Sequence, residues 1–285
     1  MASSASRVAI IFGTGPRIGA SLVKGFLGAG YRVATVSRSG SGSGSGSGPS
    51  GDSSPNPFHI QADLTDPSAA VGAFAKVTQT AGWPFPSVVV WNASSMTAPD
   101  ESDPKNPLAI DGAGFDRDLT FMIKSPYVAA GEAVKAWREK GEGVARKGTF
   151  IMTGNMGPRR VFPVPVMTTL GIGKAGANYW MGVADAMFKE EGIRHGVARL
   201  DHHTRLVVFT YLSVFGPRAL ANVDWGFARF YFADERGPDG GPAWLKNLSG
   251  ESHAKLYLDL VEGKQDPPYY VTFRNGKYEK IDNVD

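Results

Sequence analysis

A glycine-rich turn near the N-terminus has the residue types and the spacing of a phosphate site. The five apolar residues from 8 to 12 are followed by Gly13-Thr14-Gly15-Pro16-Arg17-Ile18-Gly19, and apolar side chains then recur at helical spacing. Gly13 and Gly15 can take positive φ and let the backbone come close to a ligand. The N–H groups at the helix start lie at the positive end of its dipole and suit a pyrophosphate. A tight turn without a ligand is the alternative. We predict a dinucleotide site that includes Gly13, Gly15, Arg17, Ile18 and Gly19.

A second candidate group lies about twenty residues further on, at the end of the next apolar run. An acidic residue at this place would bind the 2′-hydroxyl of NAD. The chain has Ser37 and Arg38 instead, and a guanidinium suits a 2′-phosphate. NADP(H) is therefore the predicted cofactor, with NAD(H) as the second choice. The alternative is that Arg38 is a solvated cation in a loop.

The elements that must hold these residues alternate along the chain. Apolar runs predict strands at 8–12, 31–36, 58–63, 87–92 and 149–153. Helical spacing and cap residues predict helices from about 18, from 65 to about 80, over 115–140 and over 169–192. This alternation predicts an α/β fold, a doubly wound parallel sheet with helices on both faces (a Rossmann fold). Such sheets bind ligands at the carboxyl ends of their strands.

Length and composition limit the classes of protein that remain. The 285 residues suffice for a single α/β domain over 1–285, and 42% apolar and 20% charged residues are ordinary for a globular enzyme. The net charge of +3 is spread without a basic cluster, so we expect no nucleic-acid partner. The absence of cysteine excludes disulfides and thiolate catalysis. With no signal core and no apolar run of membrane-spanning length, we expect no membrane partner and a soluble, cytoplasmic protein.

Asp63 closes the third predicted strand, Asn92-Ala93 end the fourth strand region, and Lys174 opens the apolar helix over 169–192. Together with the glycine turn, these positions give the chain a resemblance to the short-chain dehydrogenase/reductase family, over about residues 7–192 and less clearly to 275. Its glycine turn is similar to the family's, with Arg17 where a middle glycine is usual. The resemblance implies that Asp63 bonds the adenine, that Asn92 and Ala93 flank the cofactor, and that Lys174 binds the nicotinamide ribose. It also implies a small-molecule substrate and a homodimer or homotetramer. The tail resembles a divergent, largely fungal branch of the family.

The catalytic part of this resemblance is incomplete. In the family a tyrosine four residues before the lysine is the general acid/base, and that position here is Leu170, which cannot transfer a proton. The family's serine falls near Gly154, and its relay asparagine falls near Met122. Substrate hydrogen bonds would then come from the residues that follow the fifth strand. The predicted catalytic group is Lys174, Thr153 and Asn155.

Three functions fit this pattern. The first is an NADP(H)-dependent oxidoreductase of a small organic substrate. Because the cofactor itself carries the hydride, an iminium, which needs no proton on oxygen, could be reduced without the tyrosine. The second is a cofactor-binding sensor or scaffold without turnover, and the third is a non-redox cyclase or isomerase in the same pocket. We take the first as the prediction.

The last third of the chain is less regular. Alternating and helical patterns predict a sixth strand over 227–236, a helix over the site at 250–260 and a closing strand over 269–273. Residues 40–55 are almost entirely Ser, Gly and Pro, which predicts a flexible loop.

Residues 193–226 form an insertion that such a fold does not require. An extra element, a substrate lid and a gene-model artefact are the three interpretations. His195, His202 and His203 lie within it, together with Asp201. We interpret them as polar loop residues and expect no metal site, because adjacent residues on a strand point to opposite faces.

Overall fold

Five neighbouring strands of a mostly parallel sheet, β1 to β5, carry the predicted site residues at their carboxyl ends. The structure is a computed structural model that describes residues 7–39, 56–139, 148–188, 228–244 and 247–281. The described residues form a sheet in the order β3-β2-β1-β4-β5-β6-β7-β8, parallel throughout except for the last pair. Its strands are β1 (Val8–Phe12), β2 (Arg32–Ser37), β3 (Phe58–Gln61), β4 (Val88–Trp91), β5 (Gly148–Thr153), β6 (Ala228–Glu235), β7 (Tyr270–Arg274) and β8 (Lys277–Tyr278).

Helices connect these strands on both faces of the sheet. They are α1 (Ile18–Gly28), α2 (Pro67–Ala75), α3 (Gly112–Leu119), α4 (Ser125–Arg138), α5 (Thr168–Phe188) and α6 (Gly250–Val261). A π turn at Lys76–Thr80 extends α2, and a second one at Thr120–Lys124 joins α3 to α4. A short 3₁₀ turn at Pro165–Met167 leads into α5.

Polar side chains fix the starts of three of these helices. Asp66 accepts a hydrogen bond from the N–H of Ser68 at the start of α2, and Asp111 does the same for Gly114 in α3. Ser249 caps α6 through the N–H of Ser252. Each cap satisfies an N–H group that the helix itself leaves unpaired. No side chain caps α1 in this way.

The strands are buried on both faces because side chains alternate between two apolar cores. Ile10 and Phe12 point into a core shared with α2, α4 and α5, whereas Ala9 and Ile11 point into a core shared with α1 and α6. In the second core, Gly25 of α1 allows close approach of Ala254 in α6. Continuous apolar strands are therefore explained by a sheet covered on both sides.

A buried ion pair attaches α5 to β6. Arg229 donates to Asp185 at 2.9 Å and to the carbonyl of Pro267 at 3.0 Å, and it also bonds Asp266. The same Asp185 carboxylate accepts from the N–H of Phe230 at 3.1 Å. The position of α5 on the sheet is thus set by directional bonds as well as by apolar packing.

The predicted fold class is confirmed, with some differences in detail. The helix predicted over 115–140 is two helices joined by a π turn, and β8 was not predicted. The sixth strand, the later helix and the closing strand are present close to their predicted bounds, but α6 lies beside α1 on one face of the sheet.

Two predicted features fall on the undescribed part of the chain. The loop 40–55 and the insertion 193–226, with its histidines, lie outside the described residues. Among the residues that the structure does describe, no helix is long and apolar enough to span a bilayer. The described His, Asp and Glu side chains form no group of three suited to a metal ion.

Candidate active site

Hydrogen bonds join the ends of β1, β4 and β5 at the carboxyl edge of the sheet. The amide nitrogen of Asn92 donates to the carbonyl of Gly13 at 2.8 Å. The hydroxyl of Thr153 donates to the amide oxygen of Asn92 at 2.8 Å. Lys174 Nζ donates to the carbonyl of Thr153 at 2.6 Å. The structure therefore brings together four residues that the sequence placed up to 161 positions apart.

Lys174 is the most unusual of these groups because its charge is buried. The residue is only 3% exposed and points from α5 toward the end of β5. Burial disfavours the ammonium form and lowers the pKa of Lys174 to about 8. An ammonium has three donors, and one of them is used by the Thr153 carbonyl.

Tyr257 completes this network from the opposite face of the sheet and was missed by the sequence analysis. Its hydroxyl lies 2.9 Å from the hydroxyl of Thr153, and its side chain is fully buried. Burial raises the pKa of Tyr257, so the phenol stays neutral and can serve as a donor. Thr153 is thus held by Asn92 and Tyr257 at once, which fixes the end of β5.

A second buried pair lies next to Tyr257. His253 Nδ1 is 2.8 Å from the carbonyl of Ser249 and 3.4 Å from the carboxylate of Glu235. Burial lowers the pKa of His253, against the opposite effects of Ser249 and Glu235. The ring also packs edge-on against Tyr257 and Phe273. The contacts of Glu235 thus join the end of β6 to the start of α6.

The three glycines of the turn have different surroundings. Gly13 and Gly19 lie too close to neighbouring backbone atoms for a side chain, whereas Gly15 does not. Gly13 takes a φ of +90°, and a Cβ there would lie 2.6 Å from the N of Ala93. A Cβ on Gly19 would lie 2.5 Å from the Cα of Thr14. Gly15 does not take a positive φ, so that expectation is wrong, and a Cβ there would meet no protein atom within 4 Å. Gly15 borders open space on the ligand side of the turn.

The start of α1 suits an anionic group. Arg17 occupies the N-cap position without making a side-chain cap, while Gly15 and Arg17 are exposed and Ile18 begins the helix. The first N–H groups of α1 therefore face the open space beside Gly15 at the positive end of the helix dipole. These features fit the diphosphate of a dinucleotide.

The predicted adenosine side lies at the ends of β2 and β3. These strands pair in parallel, with Ser37 opposite Gln61, so the residues that follow them share one edge. Arg38 and Asp63 are exposed there. Ser37 donates to the carbonyl of Ser39 at 2.8 Å, and Asp63 accepts from the N–H of Thr65 at 3.0 Å. Arg38 follows β2, next to the strand that leads into the glycine turn, and its role toward a 2′-phosphate stays a prediction.

The amino-acid sequence of the chain is similar to that of one curated protein over nearly its whole length. No protein-family model matches the chain. It is 29% identical over 279 residues to a short chain dehydrogenase/reductase, dmxR12, of Cryptosporiopsis sp. (strain 8999), covering 95% of this chain and 93% of that protein. The chain is thus similar over nearly its whole length to a short-chain dehydrogenase/reductase.

Solved structures of short-chain dehydrogenases/reductases share the fold. A metagenomic short-chain oxidoreductase in complex with NADP has a TM-score of 0.64 at 16% identity, covering 95% of this chain and 99% of that one. An NADPH-dependent 3-quinuclidinone reductase from Rhodotorula rubra has a TM-score of 0.61 at 16% identity, covering 96% and 92%. At this identity the likeness concerns the fold alone.

The chain has an apolar residue at the position where the tyrosine of short-chain dehydrogenases/reductases is expected. Leu170 lies half-buried in the first turn of α5, one turn before Lys174. Met122 is fully buried in the π turn, and a Cβ on Gly173 would lie 2.6 Å from its Cε. Met122 therefore packs directly beside the start of the lysine helix. Neither side chain can carry a proton.

The position predicted for the family's serine is closed by an aromatic ring. A Cβ on Gly154 would overlap the ring of Phe232 in β6. That ring is fully buried and stacks on Tyr270, with centroids 5.6 Å apart. A serine at residue 154 would need Phe232 to move, so the glycine and the phenylalanine form one packing unit. Only the structure shows this, since the two residues lie on different strands.

Asn155 follows directly and is held by its own loop. Its amide oxygen accepts from the N–H of Gly157 at 2.9 Å, and its carbonyl accepts from the hydroxyl of Tyr270 at 3.4 Å. The residue is half-buried at the carboxyl end of β5. Its role toward a substrate stays a prediction, as does that of Thr153.

A buried carboxylate near the start of α5 was also missed. Asp118 in α3 accepts from the hydroxyl of Ser95 at 2.6 Å and from that of Thr169 at 2.8 Å. Burial alone would raise the pKa of Asp118, but these hydrogen bonds and the nearby Arg117 hold it below its usual value. Asp118 thereby ties the segment after β4 to the residue before Leu170. No sequence motif marks it.

Proposed function

We propose that this chain is an NADP(H)-dependent oxidoreductase of a small organic substrate that works without the tyrosine acid. The main support is the chain of hydrogen bonds from Gly13 through Asn92 and Thr153 to Lys174. It joins a phosphate-binding turn to a buried ammonium along the carboxyl edge of one sheet. This is where a doubly wound fold binds its ligand.

The cofactor would be held by groups along this edge. The N–H groups at the start of α1 would bind the diphosphate, Arg38 the 2′-phosphate and Asp63 the adenine. Lys174 would donate to the nicotinamide ribose, with Thr153 holding its position. The bound nicotinamide supplies or accepts the hydride. NADP in one structure of the same fold, and the NADPH dependence of another, support this choice over NAD(H).

The side chains at the positions expected for the proton donor restrict which substrates the proposed reaction could use. Leu170 and Met122 provide no proton, and the ring of Phe232 closes the position predicted for a serine. General acid/base catalysis contributes roughly 10²–10⁴-fold, so its loss would penalise carbonyl reduction severely. An electrophile that is already cationic, such as an iminium, does not need that proton. We therefore favour a C=N substrate over a ketone.

Turnover tests this proposal. The purified protein is incubated with NADPH and matched pairs of cyclic iminium and ketone substrates, and oxidation of NADPH is followed by absorbance. We expect faster oxidation with the iminium of each pair, and loss of that activity in Lys174→Met. Saturable NADPH binding without turnover on any substrate would contradict an oxidoreductase and favour the sensor function. Turnover that persists in Lys174→Met would contradict the role of the lysine.

We also propose that the protein forms a homodimer through α4 and α5. Both helices present large apolar side chains to solvent, and those on α5 recur along one stripe. Tyr127 of α4 packs edge-on against Trp180 of α5, which makes the two helices one continuous surface. Exposed apolar patches of this kind mark association surfaces. The stripe on α5 consists of Ile172, Tyr179, Val183 and Met187.

A further inference from the structure

Exposed apolar side chains collect at the carboxyl edge of the sheet, beside the proposed nicotinamide site. Met96 follows β4, Val161 and Val164 follow β5, and Trp244 follows β6. Because these strands are parallel neighbours, the segments that follow them converge on one edge. Side chains of this size are normally buried, and their concentration at one edge of the sheet indicates an apolar ligand.

Two aromatic residues connect the two loops at this edge. The rings of Phe162, after β5, and Trp244, after β6, meet edge-to-face with centroids 5.6 Å apart and planes at 64°. Trp244 is nevertheless 49% exposed, so much of the indole is not covered by the protein. An aromatic pair with an accessible ring favours a flat ligand, because stacking rewards planarity.

Both loops are held in place by backbone bonds. The N–H of Val164 donates to the carbonyl of Phe162 at 2.7 Å, in a segment whose φ angles are restricted by Pro163 and Pro165. In the other loop, the N–H of Gly237 donates to the carbonyl of Gly241 at 2.9 Å. The aromatic pair is therefore largely preorganised, which lowers the entropic cost of binding.

The neighbouring positions are apolar as well. Leu170 stands where the family's acid is expected, and the Phe232 ring fills the space beside Gly154. Leu170 and Phe232 are apolar where the family has polar side chains at the reacting end of the site. Phe162 and Trp244 add further apolar surface at the same edge of the sheet. Polar groups at this edge, such as Asn155, lie close to the end of β5, whereas the surface around Phe162 and Trp244 is apolar. A planar apolar substrate would gain from each of these contacts.

We infer that the substrate carries a planar aromatic ring, which stacks on Trp244 against Phe162. This inference rests on the proposed function for the identity of the reaction, but ring binding is a separate equilibrium. Aromatic pairs contribute roughly 0.5–1.5 kcal/mol beyond area burial, or about 2–12-fold in affinity. The preference for an aromatic over a saturated ring of the same skeleton measures this contribution.

Equilibrium dialysis tests the inference with two probes, 2-acetonaphthone and its saturated analogue 2-acetyldecalin. The proteins are wild type, Trp244→Leu and Trp244→Phe, with thermal unfolding as the check on folding. We expect wild type to bind the aromatic ketone about 2–12-fold more tightly than the saturated one. Trp244→Leu should lose this preference, and Trp244→Phe should retain most of it.

Equal affinity of wild type for the two ketones would overturn the inference, and so would an unchanged preference in Trp244→Leu. NADPH affinity is measured separately on the same three proteins. If wild type fails to bind NADPH, the proposed function fails, whatever the ketones show. If NADPH binds and the ketones are not distinguished, only the aromatic substrate class is rejected.

Discussion

At the scale of single residues, Gly13 and Gly15 lie two positions apart and serve different purposes. Gly13 needs its hydrogen side chain for the fold, because it takes a positive φ and lies against Ala93. Gly15 faces open space, so its hydrogen side chain matters only when a ligand comes close. We therefore expect substitution of Gly13 to affect folding and substitution of Gly15 to affect ligand binding.

We predict that Gly15→Ala keeps the wild-type melting temperature and lowers NADPH affinity by at least about tenfold, because the new methyl group lies on the ligand side. Gly13→Ala is the matched variant and should lose about 1–3 kcal/mol of unfolding free energy through strain and overlap. Thermal unfolding and calorimetric titration measure the two effects. Wild-type NADPH binding by folded Gly15→Ala would contradict the location of the diphosphate.

Lys174 gives a pH dependence whose sign follows from its burial. Its pKa of about 8 means that the ammonium, which would donate to the ribose, is lost as the pH rises above 8. We predict that NADPH affinity falls between pH 7 and 9, and that Lys174→Met shows weak binding without this slope. Titrations at several pH values measure it. A wild-type affinity that is flat over this range would contradict the assignment.

Burial of Lys174 also makes the free energy of unfolding depend on pH. Here the sign is opposite to that for NADPH affinity, because stability rises as the pH rises. Between pH 8 and the ordinary lysine pKa of 10.5, the folded state binds fewer protons at this site than the unfolded chain. Lys174 therefore costs stability at pH 7, and the cost is relieved as the pH rises through that window. The buried ammonium thus opposes folding at pH 7, a cost that the proposed binding role of Lys174 would explain.

Which site residues could be predicted depended on how local their signal was. Gly13 lies within a short motif between a strand and a helix, so spacing was enough to predict it. Asn92 and Lys174 were predicted only from the resemblance to the short-chain dehydrogenase/reductase family. Tyr257 and Phe232 reach the site from elements that follow much later in the chain, and their roles arise only when the sheet assembles. Local pattern cannot reveal contacts of that kind.

At the scale of secondary-structure elements, the joint between α5 and β6 depends on a buried ion pair. Asp185 accepts from the side chain of Arg229 and from the N–H of Phe230. Its loss would leave a buried guanidinium without this counter-charge, the costliest way to break a buried pair.

We predict that Asp185→Ala lowers the free energy of unfolding by about 3–5 kcal/mol. Glu262→Ala is the control, since its ion pair with the 63% exposed Lys264 is screened by solvent and should contribute far less. Urea denaturation of both variants gives the two values. Equal, small losses in the two variants would show that apolar packing alone holds α5 in place.

Element prediction failed where the signal was overlooked or non-local. The β7–β8 hairpin turns at Asn275 and Gly276, both with positive φ. Asn-Gly is a strong signal for a two-residue hairpin turn, and the sequence analysis did not use it. The π turn before α4 has no such marker. It occurs where Met122 packs against the start of α5, a contact between elements.

At the scale of the whole molecule, the fold class followed from alternation alone, because strand and helix patterns repeated in a fixed order. The packing of α6 beside α1 did not, since both faces of the sheet were open to it. The proposed dimer would form through a surface that the fold leaves apolar along α4 and α5.

We predict that the wild-type protein sediments as a dimer at micromolar concentration and that Val183→Glu is a folded monomer. A charge in the centre of the α5 stripe would have to be desolvated without a partner. Leu108→Glu is the control, because Leu108 is 86% exposed in the loop before α3, away from that stripe. A monomeric wild type, or a Val183→Glu dimer, would contradict this interface.

Calorimetric titration of the folded protein with NADPH and NADH tests the central claim, that the glycine turn and Arg38 bind a dinucleotide. We predict saturable one-to-one binding of NADPH, with NADH weaker by about 10–100-fold. Arg38→Ala should remove most of that difference while leaving NADH affinity unchanged. Absence of binding heat with either nucleotide, at two temperatures, would contradict the account.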